Sequence, residues 1–97
     1  MEFEVKGIHY ELSDKTVEQF EKKIKRLEFA DELVTNLTFS VEREKNQYHI
    51  NADFSFNWGS DGHISLTNHD LYKGIDLIID KLENKITKEK EKIQGKQ

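Results

Sequence analysis

The chain has 97 residues, of which 35% are hydrophobic and 35% are charged, and its formal net charge is −4. A chain of this length forms one domain, and because it contains no cysteine, disulfide frameworks and thiolate metal sites are excluded. The net negative charge disfavours nucleic acid as a partner unless the positive side chains are concentrated on one surface.

Hydropathy along the chain predicts a cytoplasmic protein without a membrane partner. Residues 1–7 lack the basic region followed by an apolar run that marks a signal peptide. No apolar stretch approaches the roughly 20 residues that span a bilayer. We therefore expect a monomeric protein with a single domain over residues 1–97, whose segment 90–97 frays because its apolar support thins.

The first two predicted elements are a strand and an amphipathic helix. Residues 2–6 alternate between polar and apolar side chains, which predicts a strand. Ser13 is a favourable N-cap, and the apolar spacing after it predicts a helix of about 15 residues. The apolar stripe of this helix consists of Val17, Phe20, Ile24 and Leu27.

Three strands with one apolar face each are predicted next. The period changes to two from Leu33, and residues 44–47 and 59–62 predict the turns between strands. The aromatic residues of this region all fall on the apolar side: Phe39, Tyr48, Phe54, Phe56 and Trp58. Because the opposite side carries small polar residues and histidine, we do not expect a base-stacking platform for single-stranded RNA on the sheet.

The last predicted element is a helix of about 25 residues, capped by Asn68 or Asp70. Its apolar stripe consists of Leu71, Ile75, Ile78, Leu82, Ile86 and Ile93. The element order β-α-β-β-β-α predicts an α+β fold. Because each strand has only one apolar face, we expect two roughly parallel helices on one face of a four-stranded sheet, as in double-stranded-RNA-binding domains.

Charged residues on both predicted helices are sorted by sign, at about 100° of rotation per residue. On the last helix, one flank of the apolar stripe carries Lys81, Lys85, Lys88 and Lys92, and the other carries Asp76, Asp80, Glu83 and Glu91. Glu89 and Lys90 break this pattern near the end of the helix. On the first helix, one arc carries Lys15, Lys22, Lys23 and Arg26. Two interpretations remain open: ion pairs between the helices, or a surface that binds a polyanion.

The histidines do not form a recognisable catalytic or metal motif. If the last two strands pair, His49 and His63 approach each other on the open face, but two histidines without a third ligand are weak support for zinc. The sequence also contains no nucleophile elbow and no Gly-rich phosphate loop. We therefore expect no metal, no cofactor and no enzymatic activity.

Two segments, VKGIHYELSDKTVEQF at 5–20 and DLYKGIDLIIDKLENKITKEKEKI at 70–93, carry a resemblance to a known family. The first is similar to the opening of the ribosome hibernation promoting factors, where a strand runs into a Gly-x-His segment. The second is similar to the final helix of that family, with its Asp-x-Tyr-x-x-Ile-Asp core and trailing lysines. The family is also described as ribosome-associated inhibitors or sigma-54 modulation proteins. The resemblance is to the short type, which lacks the C-terminal domain that pairs two ribosomes.

The resemblance implies a β-α-β-β-β-α domain in the decoding region of the small ribosomal subunit, where it occludes mRNA and tRNA and inhibits translation under stress. It also implies rRNA contacts by basic residues on both helices. By position these are Lys22, Lys23, Arg26, Lys73, Lys81, Lys85, Lys88 and Lys92. The implied partner is therefore rRNA of the small subunit.

Two other functions remain open. A sheet with free edges can accept a strand from a partner, and sorted helices can dock a protein, so the chain can be an interaction module that modulates a transcription or stress factor. Double-stranded RNA binding also uses two helices on one sheet face, but in that domain a helix precedes the first strand.

Overall fold

The computed structural model describes the backbone of residues 1–94 and the side chains of residues 1–92. The elements are β1 (Glu2–Gly7), α1 (Asp14–Lys23), a 3₁₀ helix (Ile24–Ala30), β2 (Val34–Glu44), β3 (Gln47–Phe56), β4 (Asp61–Asn68) and α2 (Leu71–Gln94). The predicted α+β fold and its element order are confirmed. Residues 95–97, within the segment predicted to fray, lie outside the described residues, as does the side chain of Ile93.

The four strands form one sheet in the order β1-β2-β3-β4. β1 is parallel to β2, whereas β2–β3 and β3–β4 are antiparallel. β1 and β4 therefore run in the same direction, and the helix that follows each of them returns in the opposite direction. The two helices are consequently roughly parallel, as predicted. Both lie on the same face of the sheet, because the apolar side chains of all four strands point to that face.

The core lies between this face of the sheet and the helices. Phe20 of α1 packs on Phe39 of β2 with ring centroids 4.8 Å apart. The apolar stripe of α2 is buried from Ile75 to Ile86. Burying each such side chain contributes about 1.5–3 kcal/mol, so the apolar pattern decides which faces meet. None of the helices in the described part is long and apolar enough to cross a membrane.

Both helices begin at side-chain caps. Ser13 Oγ accepts a hydrogen bond from the Thr16 amide at 3.2 Å, which confirms the predicted cap of α1. At α2, Asp70 Oδ1 accepts from the Lys73 amide at 3.1 Å, and Asn68 Oδ1 accepts from the Asp70 amide at 2.8 Å. Asp70 is therefore the cap, and Asn68 fixes the loop before it.

The first helix is shorter than predicted as an α-helix. It ends at Lys23 and continues as a 3₁₀ helix over Ile24–Ala30. Leu27 and Ala30 are fully buried and Ile24 is partly buried. Because these three residues are spaced by three, a helix with three residues per turn places them on one line against the sheet, which an α-helix does not.

The start of β2 also differs from the simple alternation. The pairing with β3 shifts register between Val34 and Asn36. An extra residue at this point turns Val34 toward the core, where it is 1% exposed. Strict alternation would instead have placed Val34 on the opposite face from its neighbour Leu33, which is itself partly buried. A bulge of this kind breaks the two-residue period on which the prediction depended.

The second face of the sheet is open and carries polar side chains. One row across it consists of Glu4, Thr38, Asp53 and His63. The strand aromatics lie in or against the core, as predicted. The prediction was wrong for Trp58, which lies beyond the end of β3, is 38% exposed and stacks on Phe56 with ring centroids 4.5 Å apart.

Candidate nucleic-acid interface

The basic arc of the first helix lies against the acidic flank of α2. Lys23 Nζ is 3.2 Å from Asp76 Oδ1. Arg26 Nη2 donates to Asp80 Oδ1 at 2.5 Å and to Glu83 Oε2 at 3.3 Å. Ion pairing between the helices, one of the two interpretations left open by the sequence, therefore occurs at Lys23 and Arg26.

The two pairs formed by Arg26 are exposed to solvent, whereas Asp76 Oδ1, the atom nearest Lys23 Nζ, is buried. The side chains of Arg26, Asp80 and Glu83 are 39%, 51% and 40% exposed, and exposed pairs contribute little to stability. The hydrogen bond to Asp80 raises the pKa of the Arg26 guanidinium above its ordinary value. Arg26 therefore keeps its charge, but that charge is already matched by carboxylates.

The lysines of α2 occupy the opposite side of the helix, which we call the basic flank. The flank consists of Lys81, Lys85, Lys88 and Lys92. It lies roughly 140° around the helix from the carboxylates that face α1. The basic flank therefore points away from α1, on the side of the edge strand β4.

The four lysines of the basic flank differ in their contacts. Lys85 Nζ lies 3.1 Å and Lys92 Nζ 3.7 Å from Glu89 Oε1. Among the residues whose side chains are described, Lys81 and Lys88 form no ion pair, and both are exposed. The flank thus presents two unpaired ammonium groups and two that share one carboxylate.

The sequence interpretation missed Glu89. Its side chain is 19% exposed, and the hydrogen bond from Lys85, with further attraction from Lys85 and Lys92, holds the pKa of the Glu89 carboxyl below its ordinary value. The signal was present in the sequence, because Lys85 precedes Glu89 by four residues and Lys92 follows it by three, and both spacings bring side chains together on a helix.

The remaining two predicted RNA-binding residues lie apart from the flank. Lys22 is exposed on α1, and Lys73 is exposed on the first turn of α2. Neither forms an ion pair within the part of the chain whose side chains are described. The eight predicted residues therefore form no single surface. Two are paired between helices, four form the basic flank, two stand alone, and RNA contact by any of them stays a prediction.

The histidines of the open face are held by separate partners. His63 Nδ1 is 2.6 Å from Asp53 Oδ1, and His49 Nδ1 is 3.0 Å from Thr67 Oγ1. The prediction that His49 and His63 approach each other was wrong, because His49 pairs with Thr67 and His63 with Asp53, so the histidines are about 13 Å apart along the strands. Within residues 1–94, His, Asp and Glu form no group of three that could hold a metal ion.

Comparison with known proteins gives a consistent result. A family model described as "Sigma 54 modulation protein / S30EA ribosomal protein" matches residues 3–94. The ribosome hibernation promoting factor of Azotobacter vinelandii is 29% identical over 92 residues, covering 95% of this chain and 85% of that protein. The protein of the same name from Pseudomonas putida is 28% identical over 95 residues, covering 98% and 92%.

Two solved structures share the fold. A ribosomal subunit interface protein from Coxiella burnetii superposes with a TM-score of 0.84 at 26% identity, covering 93% of this chain and 98% of that one. The N-terminal domain of Protein Y from Thermus thermophilus superposes with a TM-score of 0.75 at 20% identity, covering 87% and 92%. At that identity, the second likeness concerns the fold alone.

Proposed function

The chain belongs to the Sigma 54 modulation protein / S30EA ribosomal protein family, and from this premise we propose that it binds the small ribosomal subunit in the cytoplasm and holds it inactive. The names of its relatives, ribosome hibernation promoting factor and ribosomal subunit interface protein, support this function. The proposed site is the decoding region, where the domain occludes mRNA and tRNA under stress.

The observation that carries the proposal is the direction of the basic flank. The net charge is −4, but the carboxylates of α2 at Asp76, Asp80 and Glu83 are turned toward α1, where they meet Lys23 and Arg26. This arrangement leaves lysines on the outer side of the helix. An acidic protein can bind RNA if its phosphate contacts come from such a local surface.

The proposed mechanism is steric occlusion and requires no chemical step. Lysine ammonium groups attract phosphates but do not identify bases, so recognition depends on the backbone and shape of the RNA. We expect Lys81 and Lys88 to contribute most, with Lys22 and Lys73 as additional contacts. Lys23 and Arg26 should contribute less, because a phosphate has to replace their carboxylate partners.

The decisive experiment is co-sedimentation with purified small subunits over a salt series. We expect the wild type to bind at low salt, and log K to fall by roughly 0.7–0.9 per phosphate contact for each tenfold rise in salt. The double variant K81E/K88E should bind at least about tenfold more weakly, since it replaces two attractions with two repulsions. The matched control is K25E/K45E, which makes the same change of charge at exposed positions off the flank.

Two results would contradict the proposal. One is the absence of wild-type co-sedimentation at low salt. The other is an equal loss of binding in K81E/K88E and K25E/K45E, since net charge rather than the basic flank would then govern binding. Thermal unfolding of all variants should stay close to that of the wild type, because the substituted lysines are exposed.

The family description supports a second candidate function, a protein-interaction module that modulates a transcription factor, since it includes the words "Sigma 54 modulation protein". A partner that adds a strand to a free sheet edge would contact backbone groups of β1 or β4. Such binding would be insensitive to K81E/K88E and nearly insensitive to salt, which separates it from RNA binding.

A further inference from the structure

Glu89 is the one carboxylate that lies between lysines of the basic flank in the described part of α2. It precedes Lys92 by three residues and follows Lys85 by four, and its Oε1 atom is 3.1 Å from Lys85 Nζ and 3.7 Å from Lys92 Nζ. Its side chain is 19% exposed, against 43% for Lys85 and 70% for Lys92. The carboxylate therefore lies beneath the two ammonium groups, on the side of the helix that faces the rest of the protein.

This placement differs from that of the other carboxylates of α2. Asp76, Asp80 and Glu83 face α1 and match the cations of that helix. Glu91 is exposed and lies on the acidic side of α2, where it forms no ion pair among residues 1–92. Of these five carboxylates of α2, Glu89 is the one whose partners, Lys85 and Lys92, belong to the basic flank.

We propose that Glu89 is a built-in counter-ion that restrains Lys85 and Lys92 and so weakens the hold of the basic flank on RNA. This inference rests on the proposed function for its biological partner. A phosphate that approaches Lys85 or Lys92 has to compete with a carboxylate already in hydrogen-bonding contact with the same ammonium group. The four lysines of the flank therefore act as fewer than four phosphate contacts, and Lys81 and Lys88 dominate.

The restraint has a functional rather than a stabilising character. Ion pairs with these spacings on a helix contribute little to folding, so stability alone gives little reason for a carboxylate at this position. In contrast, one negative charge among four positive charges alters both the affinity for a polyanion and the number of counter-ions released on binding. Glu89 thus lowers the affinity of the basic flank for RNA.

The test compares E89Q with E91Q in binding to small subunits over a salt series. Both variants remove one negative charge from the same helix, but only E89Q frees the two lysines. We expect E89Q to bind about threefold to fivefold more tightly than the wild type near 0.1 M salt and to steepen the salt slope by up to 0.9. E91Q should change the affinity by less than about twofold and leave the slope unchanged.

A second pair of variants keeps the inference testable if E89Q folds poorly. K85Q removes a lysine that Glu89 already neutralises, whereas K88Q removes an unpaired lysine of the same flank. We expect K88Q to weaken binding more than K85Q. In addition, the gain from E89Q should disappear in the K85Q/K92Q background, because the restrained groups are then absent.

Three results would overturn the inference: equal effects of E89Q and E91Q, weaker binding by E89Q than by the wild type, or a loss in K85Q as large as in K88Q. Elution from a heparin column separates this inference from the proposed function. If the wild type does not bind small subunits, later elution of E89Q than of E91Q still supports the counter-ion and rejects only the ribosomal partner. Identical elution in that case rejects both.

Discussion

Ser13 holds the first turn of α1 through two contacts. Its Oγ accepts a hydrogen bond from the Thr16 amide at 3.2 Å and lies 2.9 Å from the hydroxyl of Thr16, which is 2% exposed. We predict that S13A lowers the free energy of unfolding by about 1 kcal/mol, because the Thr16 amide loses the hydroxyl acceptor and keeps only the Ser13 backbone carbonyl at 3.1 Å. Chemical denaturation measures this. The exposed Ser65 on β4 supplies the control, since S65A should change stability by less than about 0.5 kcal/mol.

A pH effect is also predicted at the scale of a single residue. Lys85 and Lys92 hold the pKa of the Glu89 carboxyl below its ordinary value of 4.5. A carboxyl group with a lowered pKa in the folded state stabilises that state above its unfolded pKa, and this contribution is lost as the pH falls through the folded pKa. The difference in thermal midpoint between the wild type and E89Q should therefore be constant above about pH 5 and shrink below pH 4.5.

A difference that persists unchanged at pH 3 would show that E89Q acts through packing rather than charge. The matched control is E91Q, which removes a carboxylate that has no ion-pair partner among the side chains that are described.

Adjacent residues of α2 can lie in different environments, one in the core and the next in solvent. Leu82 is 0% exposed in the core, whereas Lys81 is exposed on the basic flank. L82A should lower the free energy of unfolding by about 2–5 kcal/mol, because it leaves a cavity under the helix. K81E should lower it by less than about 0.5 kcal/mol. Denaturant titration of both variants checks this, and a large loss of stability in K81E would show that the flank is part of the packing.

Most elements were predictable because their apolar patterns are regular. α2 was predicted almost to its ends, since its stripe from Ile75 to Ile86 keeps the helical period. The bulge after Val34 and the 3₁₀ helix over Ile24–Ala30 were not predicted. In both places tertiary packing changes the spacing of the buried residues. The prediction assumed one constant spacing along each element, so it could not include these changes.

The candidate site was predictable only in part. Helix geometry predicts that Asp76, Asp80 and Glu83 lie away from the lysines of the basic flank, and these three carboxylates do face α1. Which carboxylates meet Lys23 and Arg26 depends on how far α1 is shifted along α2, a quantity set by the core and not by either helix alone. Glu89 was missed because it was read as a break in the charge pattern, whereas its spacing to Lys85 and Lys92 makes it a partner of both.

The whole molecule carries charges of opposite sign on different sides. The basic flank lies on the outer side of α2, while exposed carboxylates at Glu2, Glu4, Asp53 and Asp61 lie on the open face of the sheet. A surface with negative charge is repelled by RNA phosphates, so RNA should meet the helices and not the sheet.

This orientation can be tested with paired neutralisations. E2Q/E4Q should change small-subunit affinity by less than about twofold and leave the salt slope unchanged, because the sheet face is turned away from the RNA. K81Q/K88Q neutralises the same number of charges and should weaken binding strongly. Tighter binding by E2Q/E4Q, comparable to the gain predicted for E89Q, would place the open face against the RNA instead.

Trp58 gives the molecule an intrinsic optical reporter. It is the only tryptophan in the chain, and its indole stacks on Phe56 with an angle of 8° between the ring planes, although it is 38% exposed. Unfolding separates the rings and surrounds the indole with water, so its fluorescence emission should move to longer wavelength. One unlabelled spectrum therefore follows the integrity of the sheet in every variant whose affinity is compared.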